Sequence, residues 1–174
     1  MRTVNLLIDV PGRTAEEVYA ALADFERYPE LADAVKSVVV TSIGDHVTRS
    51  VWEVAFRAGL LRWTEEDRFD RETLSIDFHQ TEGDVALFDG SWRCAATEAG
   101  ARISFSARLD MGIPSLADAL EPIAARTLIE NTLAIVRGLL GDSVVVDAAS
   151  ADTSRDTAPA LSAASTSGGS DVPA

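Results

Sequence analysis

Two acidic residues in the middle of the chain have the spacing of groups that could cooperate in acid–base chemistry. Glu65 and Asp67 lie two residues apart in the segment 60–70, which is typical of a β-strand. Because side chains alternate along a strand, both carboxylates share the face of Trp63 and Phe69. A carboxylate buried among rings is costly unless it is paired or protonated, so the pair suits a wet cavity. There, a raised pKa would let one act as a general acid or base.

A second arrangement of this strand remains open. A β-bulge within 60–70 would shift the alternation by one residue and turn both carboxylates toward solvent, beside Arg62 or Arg68. The segment alone does not decide between the two arrangements.

Other polar groups give fewer indications of chemistry. Thr132 lies on the apolar stripe of the last helix and is a candidate cavity residue, although its hydroxyl could equally bond back to its own helix. Cys94 is the only cysteine, and His46 and His79 are the only histidines. This excludes a disulfide within the chain, a thiolate zinc site and most histidine metal sites. Nothing indicates a metal or organic cofactor.

Large aromatic rings are concentrated on the inward-facing positions of the predicted strands. Two interpretations remain: the rings form a solid core, or some of them line an apolar cavity beneath the helix. The candidate ligand-binding residues are Trp52, Phe56, Trp63, Phe78, Phe88 and Trp92, together with Thr132.

The elements that position these residues follow from periodicity and turn signals. A first strand over 2–10 precedes a helix near 15–24, which opens with the capping-box pattern of Thr14 and Glu17, and a short helix begins at Pro29. Alternating patterns with short turns then predict six strands of an antiparallel meander, near 35–42, 46–57, 60–70, 73–81, 86–97 and 101–110.

The end of the ordered region is a long amphipathic helix. We expect a short helix near 115–120 and then the main helix over 122–140, beginning at Pro122 and ending at Gly141. Its wide apolar stripe must pack on a large apolar surface. The sequence therefore predicts an α+β fold in which a curved, seven-stranded antiparallel sheet wraps around the long C-terminal helix.

Composition limits the kinds of partner. The 174 residues carry a net charge of −13 and a single lysine, Lys36, which excludes a basic nucleic-acid footprint and disfavours anionic membranes. No stretch approaches the ~18 apolar residues of a membrane span. The N-terminal segment has no signal-peptide pattern, so a cytoplasmic location is the expectation. A neutral or weakly polar small molecule remains as the natural partner, and the oligomeric state is not indicated.

The domain boundary is set by a change in composition. Residues 1–146 form the predicted domain, and 147–174, rich in Ala, Ser and Thr, are predicted to be a disordered tail.

Three segments carry a resemblance to a known superfamily. Asp24–Leu31 (DFERYPEL), Glu82-Gly83 and Phe88–Trp92 (FDGSW), with the order of elements over about 2–141, resemble the START-like (SRPBCC) helix-grip superfamily. The most similar branches are the bacterial polyketide aromatase/cyclases and the coenzyme-Q-binding START proteins. The resemblance implies a deep cavity between sheet and helix.

The chemistry of the aromatase/cyclases is carried over only in part. Their proposed working residues, a tyrosine, a serine and an arginine, fall on Val35, Glu65 and Asp67, and none matches. Arg68 is one residue away from the arginine position and on the opposite face. A carboxylate can still abstract an acidic proton between two carbonyls, but it cannot replace a cationic oxyanion stabiliser.

These features leave three functions open. The first is a polyketide cyclase or dehydratase of the kind used in antibiotic biosynthesis, with Glu65 and Asp67 as acid–base groups and a substrate that is free or tethered to a carrier protein. The second is a non-catalytic carrier of a quinone, lipid or similar hydrophobic molecule. The third is an interaction protein with a solid core.

Overall fold

The computed structural model of the chain describes residues 1–147 and 152–155. The strands are β1 (Arg2–Pro11), β2 (Val35–Gly44), β3 (Val47–Phe56), β4 (Gly59–Asp70), β5 (Ser75–Gly83), β6 (Leu87–Thr97), β7 (Gly100–Asp110), β8 (Val145–Val146) and β9 (Asp152–Arg155). The helices are α1 (Ala15–Leu22), α2 (Tyr28–Leu31) and α3 (Ala117–Leu140), with 3₁₀ turns at Phe25–Arg27 and Pro114–Leu116.

The strands form one antiparallel sheet. Strands β2 to β7 follow one another as a meander, and β1 then pairs with β7 along its whole length. The short β8 and β9 pair with the other edge of β1. The predicted seven-stranded sheet with its long terminal helix is confirmed, and every meander connection is short enough to keep neighbouring strands antiparallel.

Helix α3 packs its apolar stripe against the concave face of the sheet. Ala125, Ile135 and Val136 are buried there, and the helix ends at Gly141, whose φ of 92° and N–H bond to the Arg137 carbonyl stop the helical ladder. The predicted break before Pro122 is wrong, because α3 is continuous from Ala117. Proline removes a single hydrogen bond near the helix start, which the rest of the helix tolerates.

The segment after β1 covers one end of the sheet. Helix α1 begins with the predicted capping box: the Glu17 N–H donates to the Thr14 hydroxyl, and the Thr14 N–H donates to the Glu17 carboxylate. Helix α2 then approaches α3 closely, since a Cβ added at Gly138 would lie 2.7 Å from Leu31 Cδ2. Helix α2 carries Tyr28 to the inner face of the sheet.

The predicted C-terminal tail is described only in part. Its residues 152–155 form β9, which pairs with residues 2–5 of β1. The remaining tail residues lie outside the described part of the chain. Within residues 1–147 and 152–155, no helix is long and apolar enough to cross a membrane.

Candidate active site

The two carboxylates lie on the inner face of the sheet. Glu65 pairs across β3 with Ser50, and Asp67 pairs with Thr48, so alternation brings all four side chains to the same face. The side chains are almost inaccessible, Glu65 being 3% and Asp67 0% exposed. The register of β4 with β5 does shift at Thr64 and Glu65, but this irregularity leaves both carboxylates facing inward.

Ser50 is the centre of the hydrogen-bond network around the pair. Its hydroxyl donates to Asp67 Oδ2 at 2.5 Å and lies 3.5 Å from Glu65 Oε1. It accepts a hydrogen bond from Trp52 Nε1 at 2.8 Å. Thr48 Oγ1 donates to the same Asp67 oxygen at 3.3 Å. Asp67 is thus held from the β3 side by two hydroxyl groups.

Trp63 fixes Glu65 from the other side, and Trp52 stacks on the Trp63 ring. Trp63 Nε1 donates to Glu65 Oε2 at 2.8 Å, and the Trp63 ring stacks on Trp52 with centroids 5.8 Å apart and planes 1° from parallel. Because each indole N–H is bound to a polar partner, the rings are locked in orientation as well as buried. The two tryptophans therefore bind the carboxyl network as well as each other: Trp63 donates to Glu65, and Trp52 donates to Ser50.

The surroundings of the two carboxyl groups raise their pKa values to different extents. Burial is the largest cause that raises the pKa of Glu65 well above its ordinary value, and the nearby charge of Asp67 raises it further. Burial also raises the pKa of Asp67, but hydrogen bonds from Ser50, Glu65 and Thr48 oppose this shift. Glu65 is therefore the more readily protonated member of the pair, and the Ser50 hydroxyl links it to Asp67.

Glu65 forms part of the wall of an internal cavity. Between sheet and α3 lie two chambers of about 100 Å³ and about 90 Å³, and they share walls at Val54, Trp63, Phe88, Leu128 and Asn131. Glu65 and Thr132 line the first chamber, whereas Asp67 lines neither and sits behind Glu65. The rings partly pack together and partly enclose space, so each of the two interpretations of the aromatics holds for part of the interior.

Every aromatic residue predicted to bind a ligand lines a chamber. The first chamber is lined by Trp52, Trp63, Phe78, Phe88 and Trp92, and the second by Phe56, Trp63 and Phe88. Thr132 is 3% exposed, and its hydroxyl makes no hydrogen bond to another described residue, including those of its own helix.

Several lining residues were missed from the sequence. Asn131 lines both chambers, and its amide has no hydrogen-bond partner among the described residues. It escaped notice because it lies at the margin of an apolar stripe. Ser50 could have been found, since it shares the alternation of Trp52. Tyr28, whose hydroxyl donates to the Leu22 carbonyl at 2.6 Å, enters from α2 and could not be placed by strand periodicity.

Val35 and Arg68, at or next to the positions of the aromatase/cyclase working residues, lie on opposite sides of the sheet. Val35 is buried and lines the first chamber, while Arg68 is exposed on the outer face. No arginine or lysine is among the described residues that line either chamber. Oxyanion stabilisation here would come from neutral groups, of which Asn131 and Thr132 are on the helix side.

Other reactive groups in the described chain, Cys94 and His79, line neither chamber. Burial raises the pKa of the Cys94 thiol to about 12, so it stays protonated and unreactive. His79 is exposed and contacts Asp89 on the outer face of the sheet. Residues 1–147 and 152–155 contain no cluster of His, Cys, Asp and Glu able to hold a metal ion.

Comparison with solved structures supports the same fold. The TTHA0849 protein of Thermus thermophilus is 25% identical with a TM-score of 0.69, covering 78% of this chain and 93% of that one. The ZhuI aromatase/cyclase of Streptomyces sp. R1128 is 16% identical with a TM-score of 0.68, covering 80% and 93%. The major latex-like protein 151 of Panax ginseng is 14% identical with a TM-score of 0.59, covering 78% and 94%.

Sequence comparison gives the family. No curated protein sequence matches the chain. The model of one family, described as polyketide cyclase/dehydrase and lipid transport, matches residues 12–135, which is most of the predicted domain. The chain belongs to this polyketide cyclase/dehydrase and lipid transport family.

Proposed function

We propose that this protein binds an apolar polyketide-type substrate between its sheet and α3 and promotes aldol cyclisation or dehydration. The observation that carries the proposal is the position of Glu65, a buried acid on a chamber wall that the Ser50 hydroxyl links to Asp67 behind it. Two carboxyl groups whose surroundings separate their pKa values are a recurrent acid–base device.

The proposed dehydration uses the pair as a proton-transfer unit. Glu65 first passes its proton to Asp67 behind it. Its carboxylate, which faces the chamber, then takes the proton from the carbon next to the substrate ketone and gives it to the departing hydroxyl group. A carbon–carbon double bond and one water molecule form, and the pair ends with the single proton it began with. In the aldol step, the enolate carbon bonds to a second carbonyl carbon, and the resulting alkoxide takes the proton from Glu65.

The volume of the two chambers restricts the size of the substrate. Ligand pockets usually measure about 300–1,000 Å³, and each chamber here is well below that range. One chamber holds about one ring, and a longer substrate must span both chambers and displace the partition formed by Trp63, Phe88 and Leu128. The aromatic walls would then hold the growing ring system by stacking.

A carrier of hydrophobic molecules is the second candidate. It is favoured by chambers whose walls are almost wholly apolar and by the absence of the tyrosine, serine and arginine of the aromatase/cyclases, whose positions hold Val35, Glu65 and Asp67. A carrier needs the cavity but has no use for a proton on Glu65.

The two candidates are separated by product analysis. A linear poly-β-ketone generated in vitro by a minimal polyketide synthase is incubated with the wild type, with Glu65→Gln, with Asp67→Asn and without protein. We expect cyclised or dehydrated product only with the wild type, and a loss of about 10²-fold or more in both amides. Equal product in all four reactions, with a hydrophobic molecule retained by the wild type in native mass spectrometry, supports the carrier instead.

A further inference from the structure

A second space lies close to the carboxyl pair from the opposite direction. It is a groove of about 600 Å³ between α1, the β2–β3 hairpin and the β4–β5 turn. Ala20 and Ala23 line it on the α1 side, and Thr48 and Phe69 line it on the sheet side. No described residue lines both this groove and either internal chamber. Groove and chambers are therefore separate spaces.

Thr48 connects the groove to the pair. Its side chain is half-buried and lines the groove, and its hydroxyl lies 3.3 Å from Asp67 Oδ2. The Ser50 hydroxyl lies 2.5 Å from the same Asp67 oxygen and 3.5 Å from Glu65 Oε1, and so links Asp67 to Glu65, which faces the chamber. The other Asp67 oxygen, Oδ1, is buried and has no hydrogen-bond partner among the described residues. An unbroken line of oxygen atoms thus runs from groove to chamber.

We propose that Thr48 and Asp67 form a proton-exchange path that lets Glu65 equilibrate with water in the groove while a ligand fills the chamber. This inference rests on the proposed function, in which Glu65 is the working acid. A proton from groove water binds the Thr48 oxygen as the Thr48 hydroxyl proton moves to Asp67, and Asp67 passes one proton to Glu65. One proton enters and one is delivered, so neither residue is changed.

The path is needed because a bound ligand closes the chamber to water. A bound apolar ligand expels water from the space in front of Glu65, so a proton lost there cannot return by the same way. A route along the inner face of β3 and β4, on the side of the pair away from the chamber, keeps the acid supplied without admitting water to the reacting carbons. Asp67 then serves as a positioning and relay group behind Glu65, and not as a second base that touches substrate.

The test follows hydrogen–deuterium exchange of the Glu65 carboxyl group by infrared spectroscopy after rapid transfer into D₂O. Glu65→Gln assigns the carboxylic acid band, and saturating acetophenone, a one-ring ketone, fills the chamber. Thr48→Val removes the hydroxyl at nearly constant shape, Ala20→Trp obstructs the groove, and Thr48→Ser restores a hydroxyl. Near-ultraviolet circular dichroism verifies that each variant is folded.

With acetophenone bound, we expect rapid exchange in the wild type and in Thr48→Ser. Exchange should be slower by about tenfold or more in Thr48→Val, the change in rate that a barrier raised by one lost hydrogen bond produces, and slower also in Ala20→Trp. Wild-type rates in both slow variants, or a Glu65 without a carboxylic acid band, overturn the path. Failure of the proposed function is distinguishable, because a carrier would show the same exchange but no cyclised product.

Discussion

At the scale of single residues, the fold can bury Glu65 and Asp67 together because their surroundings favour a proton on Glu65 and a negative charge on Asp67. Ser50, Trp52 and Thr48 stabilise negative charge on Asp67, directly or through Ser50, whereas Glu65 is left protonated by burial. Two buried charges would be far more costly than one charge and one neutral acid that hydrogen-bond each other.

This inequality predicts a pH-dependent stability difference between Glu65→Gln and the wild type. The folded-state pKa of Glu65 is raised, so above the ordinary glutamate pKa of ~4.3 the folded chain binds more protons than the unfolded one. The free energy of unfolding of the wild type therefore falls as pH rises through this window, by up to about 1.4 kcal/mol per pH unit. Glutamine does not titrate, so the variant gains relative stability with rising pH.

Urea denaturation at several pH values from 4 upward measures this trend. Glu66→Gln, which alters the neighbouring side chain on the outer face, is the matched control and should follow the wild type. A constant difference between Glu65→Gln and the wild type at every pH would show that Glu65 is ionised in the folded protein.

A second residue-scale prediction concerns Asn131. Its amide lines both chambers without a hydrogen-bond partner among the described residues, so it can bind a ligand carbonyl. We expect the wild type to bind acetophenone about 3–10-fold more tightly than α-methylstyrene, which has nearly the same shape but no oxygen, as one net hydrogen bond would give. Tryptophan fluorescence titration measures both affinities.

In Asn131→Leu, the preference for the ketone should fall to what a contact with Glu65 alone supplies, while α-methylstyrene still binds. Thr132→Val is the matched control on the same helix face. If the preference persists in Asn131→Leu and is lost in Thr132→Val, the carbonyl contact belongs to the threonine.

At the scale of elements, the position of α3 depends on a close approach to α2. An alanine at a helical glycine normally stabilises a helix by about 1 kcal/mol. In Gly138→Ala, however, the added methyl group would meet Leu31, and we expect a net loss of about 1–3 kcal/mol in unfolding free energy and weaker binding of acetophenone. Chemical denaturation gives the first and fluorescence titration the second.

The double variant isolates the cause. In a Leu31→Ala background the Leu31 Cδ2 and Cγ atoms are absent and only Cβ, 2.9 Å from the added methyl carbon, remains, so Gly138→Ala should cost less there than in the wild type. An equal loss in both backgrounds would place the effect elsewhere in α3.

Sequence reasoning succeeded where periodicity alone decides the outcome. Alternation along β4 was enough to bring Glu65 and Asp67 inward beside Trp63, because one face of the sheet must be buried. It could not separate their roles, since only the register with β3 puts Thr48 and Ser50 against Asp67. It also missed Asn131, which lies at the margin of the apolar stripe. The predicted break before Pro122 was wrong because a long helix packed on a sheet overrides a local propensity.

At the scale of the whole molecule, the domain should survive loss of the C-terminal region. Strand β9 adds a short ladder to the outer edge of β1, whose other edge is fully paired with β7. We expect truncation after Asp147 to lower the free energy of unfolding by about 1–2 kcal/mol, the worth of a few exposed hydrogen bonds, and to leave acetophenone binding unchanged.

Truncation after Arg155 keeps β9 and is the matched control, with stability close to that of the full chain. Loss of cooperative unfolding or of ligand binding in the shorter variant would mean that the functional domain extends beyond residue 147.

The proposed function requires a ligand to enter the space between the sheet and α3 with its polar end at Glu65. A crystal structure of the full chain with acetophenone tests this directly. We expect the ring between Trp63 and Phe88 and the ketone oxygen within hydrogen-bond distance of Glu65 or Asn131. Acetophenone bound in the outer groove at Thr48 and Phe69, with both chambers unchanged, would contradict it.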